Sequence, residues 1–191
     1  MTALTLQMPS STKLSDEQFY ELCRINRNIR IERSADGELI LMPPTGGETG
    51  SRNAGITAQL WSWNENRGLG KVFDSSTGFK LPNGADRAPD AAWVQIDRWN
   101  ALTPEQKEKF PPICPDLVVE LRSKTDSLPI LQAKMQEYMD NGARLGWLIN
   151  RQDGQVEIYS DSGKTKVLTR PMTLSGGSVL PGFELKLRDI L

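Results

Sequence analysis

The segment Asp116-Leu117-Val118-Val119-Glu120-Leu121-Arg122 constrains this chain more than any other. Leu117, Val119 and Leu121 alternate with Val118, Glu120 and Arg122, the period of a strand with two different faces. Residues 127–141 follow, with Leu131, Met135, Tyr138 and Met139 as an apolar stripe, and Gly142 stands where helices commonly end. Leu145–Asn150 is then a second apolar strand. A strand, a helix and a strand in succession predict a sheet with a helix packed on its face.

The rest of the chain points to the same class. Ser15-Asp16-Glu17 caps and charges a short helix whose apolar stripe is Phe19, Leu22 and Cys23. Residues 29–32 and 38–42 flank Ser34-Ala35-Asp36-Gly37, which reads as a β-hairpin with an Asp-Gly turn. Pro43-Pro44-Thr45-Gly46-Gly47 breaks the chain and launches a helix over 48–66, with Ile56, Leu60 and Trp63 on one face. Short strands are expected over 71–74, 78–81 and 88–95. Residues 96–115 read as an insertion in which Thr103-Pro104-Glu105 starts a helical turn. Strands over 156–160 and 164–168 extend the sheet, while 180–191 shows no assignable pattern. The expected fold is α/β, with antiparallel hairpins at the sheet edges. Residues 1–13 are read as a flexible lead and 14–191 as one domain.

Composition removes many chemistries. The 191 residues include no histidine. Ser-His-Asp and Cys-His catalysis, HExxH zinc hydrolysis and histidine-ligated iron or copper are therefore excluded. No P-loop is present, and Gly46-Gly47 lacks the spacing of a dinucleotide fingerprint. Cys23 and Cys114 are far apart and form no CxxC pair, so they read as reduced thiols serving as small apolar groups. No stretch approaches the roughly 20 apolar residues of a membrane span, and no signal peptide is visible, so the cytoplasm is the expected compartment. Net charge is −1, so any hold on nucleic acid must come from a local basic patch. What remains is chemistry done with carboxylates, lysine and arginine.

Three places carry such groups. Strand alternation puts Glu120 and Arg122 on one face, as an ion pair on a solvated sheet or as part of a site. Asp90 follows Pro89 at the start of its strand, and Asp116 follows Pro115 ahead of Glu120. Asp90 alone is a turn or cap residue; paired with Glu120 on a neighbouring strand it makes a hard-oxygen site suited to Mg²⁺ or Mn²⁺. Lys134 flanks the apolar stripe of its helix, one turn before Tyr138. It either reaches solvent or bends back toward the end of the Glu120 strand while burying its stem. Glu48 begins the long helix, either as a first-turn carboxylate paired with Arg52 or as a further ligand.

At these residues the chain resembles a known family. Pro43–Gly50, Pro89-Asp90, residues 115–123, Lys134, Tyr138 and residues 142–149 are similar to the Uma-type restriction endonuclease family of the PD-(D/E)XK nuclease superfamily. The similarity covers residues 15 to 190. It implies a restriction-endonuclease-like mixed sheet and a metal-dependent site for cutting nucleic acid, DNA foremost. By position, Asp90 and Glu120 would hold Mg²⁺ or Mn²⁺, with the backbone carbonyl of Leu121 as a further ligand. Glu48 matches the acid that the first core helix sometimes adds. The motif lysine two places after the Glu is here Arg122, which cannot act as a base but can hold a phosphate. Lys134 is the expected replacement, with Lys124 as a second candidate. A homodimer is expected because two strands must be cut. The alternative reading is a catalytically impaired nuclease-fold protein that binds nucleic acid or serves as a structural partner.

Overall fold

The computed structural model describes residues 3–191. Met1 and Thr2, which open the expected flexible lead, lie outside the described residues. The chain begins with β1 (Leu4–Leu6), α1 (Asp16–Ile25), β2 (Arg30–Arg33) and β3 (Leu39–Met42). Helix α1 starts where the sequence caps it. The Gln18 N–H donates to Ser15 Oγ and the Ser15 N–H donates to Gln18 Oε1, closing a capping box. Strands β2 and β3 form the expected hairpin, turned through Gly37 at φ 90°, a conformation that glycine adopts without steric cost. Residues 4–6, read as part of a flexible lead, instead pair antiparallel with β3, Leu4 opposite Leu41. The free edge of β3 offers unpaired backbone groups, and Leu-Thr-Leu can take them up.

Next come α2 (Gly47–Glu65), β4 (Gly70–Asp74), β5 (Phe79–Lys80), β6 (Asp86–Arg87) and β7 (Ala91–Gln95). The short α3 (Ile96–Asn100) and α4 (Pro104–Glu108) occupy the segment read as an insertion, α4 capped by Thr103. They are followed by β8 (Leu117–Leu121), α5 (Leu128–Asp140), β9 (Leu145–Asn150), β10 (Gln155–Ser160) and β11 (Lys166–Thr169). In the tail that showed no pattern, β13 (Glu184–Lys186) forms a hairpin with the preceding β12 (Thr173–Ser175).

Two sheets result. One has five strands in the order β1-β3-β2-β6-β5, and the other six in the order β11-β10-β9-β8-β7-β4. Within the six-stranded sheet only β8 and β9 run parallel, with α5 as the crossover between them. The alternation of β8 separates two cores. Leu117, Val119 and Leu121 join Ile56 and Leu60 of α2 and Phe183, Leu185 and Ile190 of the tail. Val118 joins Met135 and Tyr138 of α5, with Ala92, Val94 and Leu148, on the other face. The fold is mixed α/β, as the sequence predicts. The thiols of Cys23 and Cys114 are separate, and burial raises them to about 11 and about 12, which removes them as nucleophiles at neutral pH. Among the described residues no helix is long and apolar enough to cross a membrane.

Candidate active site

Strand pairing sets the site. β7 runs antiparallel to β8 with Ala91 opposite Val119 and Ala92 opposite Val118, so one further step brings Asp90 level with Glu120. The backbone confirms this closeness: the Leu121 N–H donates to Asp90 Oδ2 at 2.8 Å. The other Asp90 oxygen accepts from Asn53 Nδ2 of α2, also at 2.8 Å. Asn53 is buried, and its own Oδ1 has no hydrogen-bond partner. A buried acceptor left unmatched is costly, so an oxygen of this kind beside a carboxylate calls for a cation or a donor.

Glu120 is 4% exposed and lies on the α5 face of the sheet. Its Oε1 meets Lys134 Nζ at 2.8 Å and accepts from the Tyr138 hydroxyl at 3.1 Å. Lys134 and Tyr138 stand one turn apart on α5, so both side chains rise toward the same point. Burial pushes the Glu120 carboxyl up, Lys134 counters it, and Asp90 and Glu32 raise it further, to about 7.

Glu32, on β2 of the other sheet, completes the cluster. Its Oε1 accepts from Lys134 Nζ at 2.8 Å and from the Ala88 N–H at 3.0 Å, and its Oε2 accepts from Arg87 Nη1 at 3.2 Å. Burial disfavours its charge, yet Lys134, Arg87 and Arg30 outweigh that and hold the carboxyl at about 2. Burial likewise works against the charge on Lys134, but Glu120 and Glu32 prevail and its pKa is raised. Lys134 is therefore a clamped cation between two carboxylates. Arg30 Nη1 approaches Asp90 Oδ1 at 3.9 Å, and Arg87 Nε donates to Glu137 at 2.6 Å. In this connected group three cations (Arg30, Arg87, Lys134) face four carboxylates (Glu32, Asp90, Glu120, Glu137). Fully ionised, it is one positive charge short, and the strain falls on Glu120.

The structure thus brings Asp90, Glu120 and Lys134 together, with the backbone of Leu121 beside them. It does not bring Arg122 to them. The strand ends at Leu121, and the Arg122 guanidinium turns to the Asp126 carbonyl (3.2 Å), Asn150 Oδ1 (3.1 Å) and Asp153 Oδ2 (3.3 Å). The expectation that Arg122 shares a working face with Glu120 is corrected accordingly: acceptors on its own loop, at the end of β9 and on the turn after it claim it. Glu48 is also elsewhere. Its side chain is 83% exposed and pairs with Arg52 at 2.5 Å, the i,i+4 arrangement that helix spacing favours. Lys124 is exposed on the loop after β8, and Lys134 is the lysine that reaches Glu120.

Glu32 and Asn53 were missed in the sequence, though both left a signal. Asn53 interrupts the apolar stripe that continues through Ile56 and Leu60, a polar residue at a core position. Glu32 and Arg30 flank Ile31 in a strand, a charged face that needed a partner.

The family model described as "Putative restriction endonuclease" matches residues 16–188. A crystal structure of a putative nuclease belonging to DUF820, from Anabaena variabilis, is similar with a TM-score of 0.71. It is 19% identical, and the match covers 84% of this chain and 88% of that one; likeness at this level shows the fold. No protein with a curated description matches.

Proposed function

The chain belongs to the Uma2 family, and on that premise we propose that it is a metal-dependent endonuclease hydrolysing nucleic-acid phosphodiesters, DNA foremost. The observation that carries the reading is the pairing of partly buried Asp90 with buried Glu120, with an orphaned Asn53 oxygen beside them. These are hard oxygen donors, and the cluster is short of positive charge, so a divalent cation such as Mg²⁺ or Mn²⁺ fits the donor set. Among the described residues no three acidic, histidine or cysteine side chains gather into a closed metal cage. An ion here would need further ligands from amide and backbone oxygens, water and substrate.

Asp90 and Glu120 would hold the ion, with the Leu121 carbonyl and Asn53 Oδ1 as further oxygens. Bound there, it supplies Lewis-acid polarisation of the phosphoryl oxygen and lowers the pKa of a water molecule. The Leu121 N–H and Asn53 amide fix the orientation of Asp90, and the Tyr138 hydroxyl fixes that of Glu120. Lys134, its ammonium held by Glu32 and Glu120, orients the attacking water and offsets charge developing on the phosphate. It does not take a proton, because both neighbours favour its charged form.

The test is cleavage of supercoiled plasmid with Mg²⁺ or Mn²⁺ against EDTA. Glu120→Gln and Asp90→Ala should abolish cleavage, and cleavage persisting in both variants overturns the assignment. One observation favours a second reading, a nuclease fold that binds without turnover. The place of the motif lysine is held by Arg122, which is tied to Asn150 and Asp153. Mn²⁺ binding by calorimetry with no cleavage of any DNA or RNA would select that reading.

A further inference from the structure

Three basic side chains border the site, and the carboxylate cluster uses none of them. Arg52 lies on α2 next to Asn53, which holds Asp90, and adjacent helix positions point about 100° apart, so Arg52 faces past the pair. Lys124 and Arg151 stand on the loops that leave the parallel strands β8 and β9 at their C-terminal ends. Those loops are stitched together. The Arg122 N–H donates to the Ile149 carbonyl at 2.9 Å, and Gln152 Nε2 donates to the Ser123 carbonyl at 2.9 Å. The two loops carrying Lys124 and Arg151 are thereby fixed against each other.

Of the three, Arg52 pairs directly with Glu48, and Arg151 and Lys124 act on the same carboxylate through their charge. Arg52 Nη1 meets Glu48 Oε2 at 2.5 Å. Arg52 first, then Arg151 and Lys124, hold the Glu48 carboxyl below its usual range. One exposed carboxylate does not satisfy them: the Nε atoms of Arg52 and Arg151 are both buried without a hydrogen-bond partner. An exposed i,i+4 ion pair is weak and easily exchanged. A phosphodiester offers more acceptor oxygens, and arginine engages it through paired N–H bonds.

We infer that Arg52, Lys124 and Arg151 form a seat for a backbone phosphate of the bound strand, adjoining the scissile position, and that Glu48 fills this seat in the free protein. The inference rests on the nuclease reading and narrows its substrate. A second phosphate held beside the Asp90–Glu120 pair selects a polynucleotide over a small phosphoester. It also explains how a chain of net charge −1 can hold nucleic acid, since the cations are gathered at one rim. Glu48 is then a competitor for the seat and not a ligand of the metal.

The experiment is anisotropy of a short fluorescein-labelled DNA duplex in EDTA at several salt concentrations, on the wild-type chain and on R52Q, K124Q, R151Q and E48Q. R52Q and R151Q should each weaken binding roughly tenfold and K124Q less. The slope of log affinity against log salt should fall by about 0.9 for the phosphate no longer neutralised. E48Q should tighten binding, by roughly threefold or more at low salt. Circular dichroism on the same samples confirms that each variant is folded, and E48Q, a gain at an exposed position, does not depend on tolerance to loss. Unchanged affinity across all four variants, with wild-type binding intact, overturns the seat and leaves the nuclease reading standing. A wild-type chain that binds neither DNA nor RNA at low salt overturns both.

Discussion

At the scale of single residues, a carboxylate buried beside another carboxylate releases its proton late, and Glu120 does so at about 7 against an ordinary 4.5. Between those values the folded chain keeps a proton that the unfolded chain has lost. Stability without metal therefore falls as pH rises from 4.5 to 7, by on the order of 3 kcal/mol. Glu32 acts in the opposite sense in a different window. Held at about 2, it stays ionised when folded, so acidification from 4.5 toward 2 removes stability. Urea unfolding in EDTA should accordingly show greatest stability near pH 4.5 to 5, and Glu120→Gln should flatten the decline above it. A decline unaltered in that variant would show that Glu120 is not its source. A cation bound at the pair must displace the Glu120 proton, so Mn²⁺ should raise the midpoint more at pH 8 than at pH 6. Glu32 itself is bound by Lys134, Arg87 and a backbone amide. Glu32→Ala takes one of two carboxylate partners from each of Lys134 and Arg87, which keep Glu120 and Glu137, and should cost about 1–3 kcal/mol by the same unfolding measurement. Asp90, Glu120 and Lys134 were named from the sequence, where strand period and helix spacing left each a second reading and the family resemblance joined them. Glu32 and Arg87 were not, since their partners lie 102 and 50 residues away in sequence and only the folded chain joins them.

At the scale of elements, the site depends on how closely the helices and strands approach. Gly70 opens β4 under the Trp93 indole, and a methyl there would meet the Val94 carbonyl oxygen and the Trp93 Cε2 at 2.3 Å. Neither can move freely, because the carbonyl belongs to β7 and the indole N–H donates to Asn64. Gly146 on β9 lies under α5, where a methyl would meet Met135 Cε at 2.4 Å, the mobile end of a flexible chain. Gly70→Ala should therefore cost about 1–3 kcal/mol and Gly146→Ala distinctly less, read from urea midpoints of the two variants. Equal losses would show that the β4–β7 contact is not the tighter one. The elements themselves were largely readable. Capping residues announced α1 and α4, a glycine closed α5, and the alternation in β8 named its two faces. Two kinds were hidden. β6 has only two residues, Asp86 and Arg87, too few for any period to show. The tail hairpin β12–β13 contributes one inward residue per strand, Leu174 and Leu185, and gains its place by packing on α2.

At the scale of the molecule, the site is a joint between two sheets. Asp90 and Glu120 belong to the six-stranded sheet and its approach, Glu32 to the five-stranded one, and Lys134 reaches carboxylates of both. Arg87 adds a second tie, joining Glu32 to Glu137 of α5. The sheets are thus coupled through charges in a poorly solvated place, where removing one partner leaves the others uncompensated. Metal-site geometry and mechanical coupling then depend on the same side chains. All five tryptophans (Trp61, Trp63, Trp93, Trp99 and Trp147) lie beyond the β2–β3 hairpin, so their fluorescence reports on the rest of the chain. Amide hydrogen exchange at β2 and β3 reports on the hairpin itself. In the wild-type chain both probes should yield one opening free energy. Arg87→Ala should lower protection across residues 30–42 well before tryptophan fluorescence changes with urea, because Glu32 and Glu137 lose their shared cation while the six-stranded core keeps its packing. Added Mn²⁺ should leave that early opening largely in place, since the lost tie is Arg87 and not Asp90 or Glu120. If the hairpin and the tryptophans still open together in the variant, apolar packing between the sheets, and not the buried charges, is what joins them.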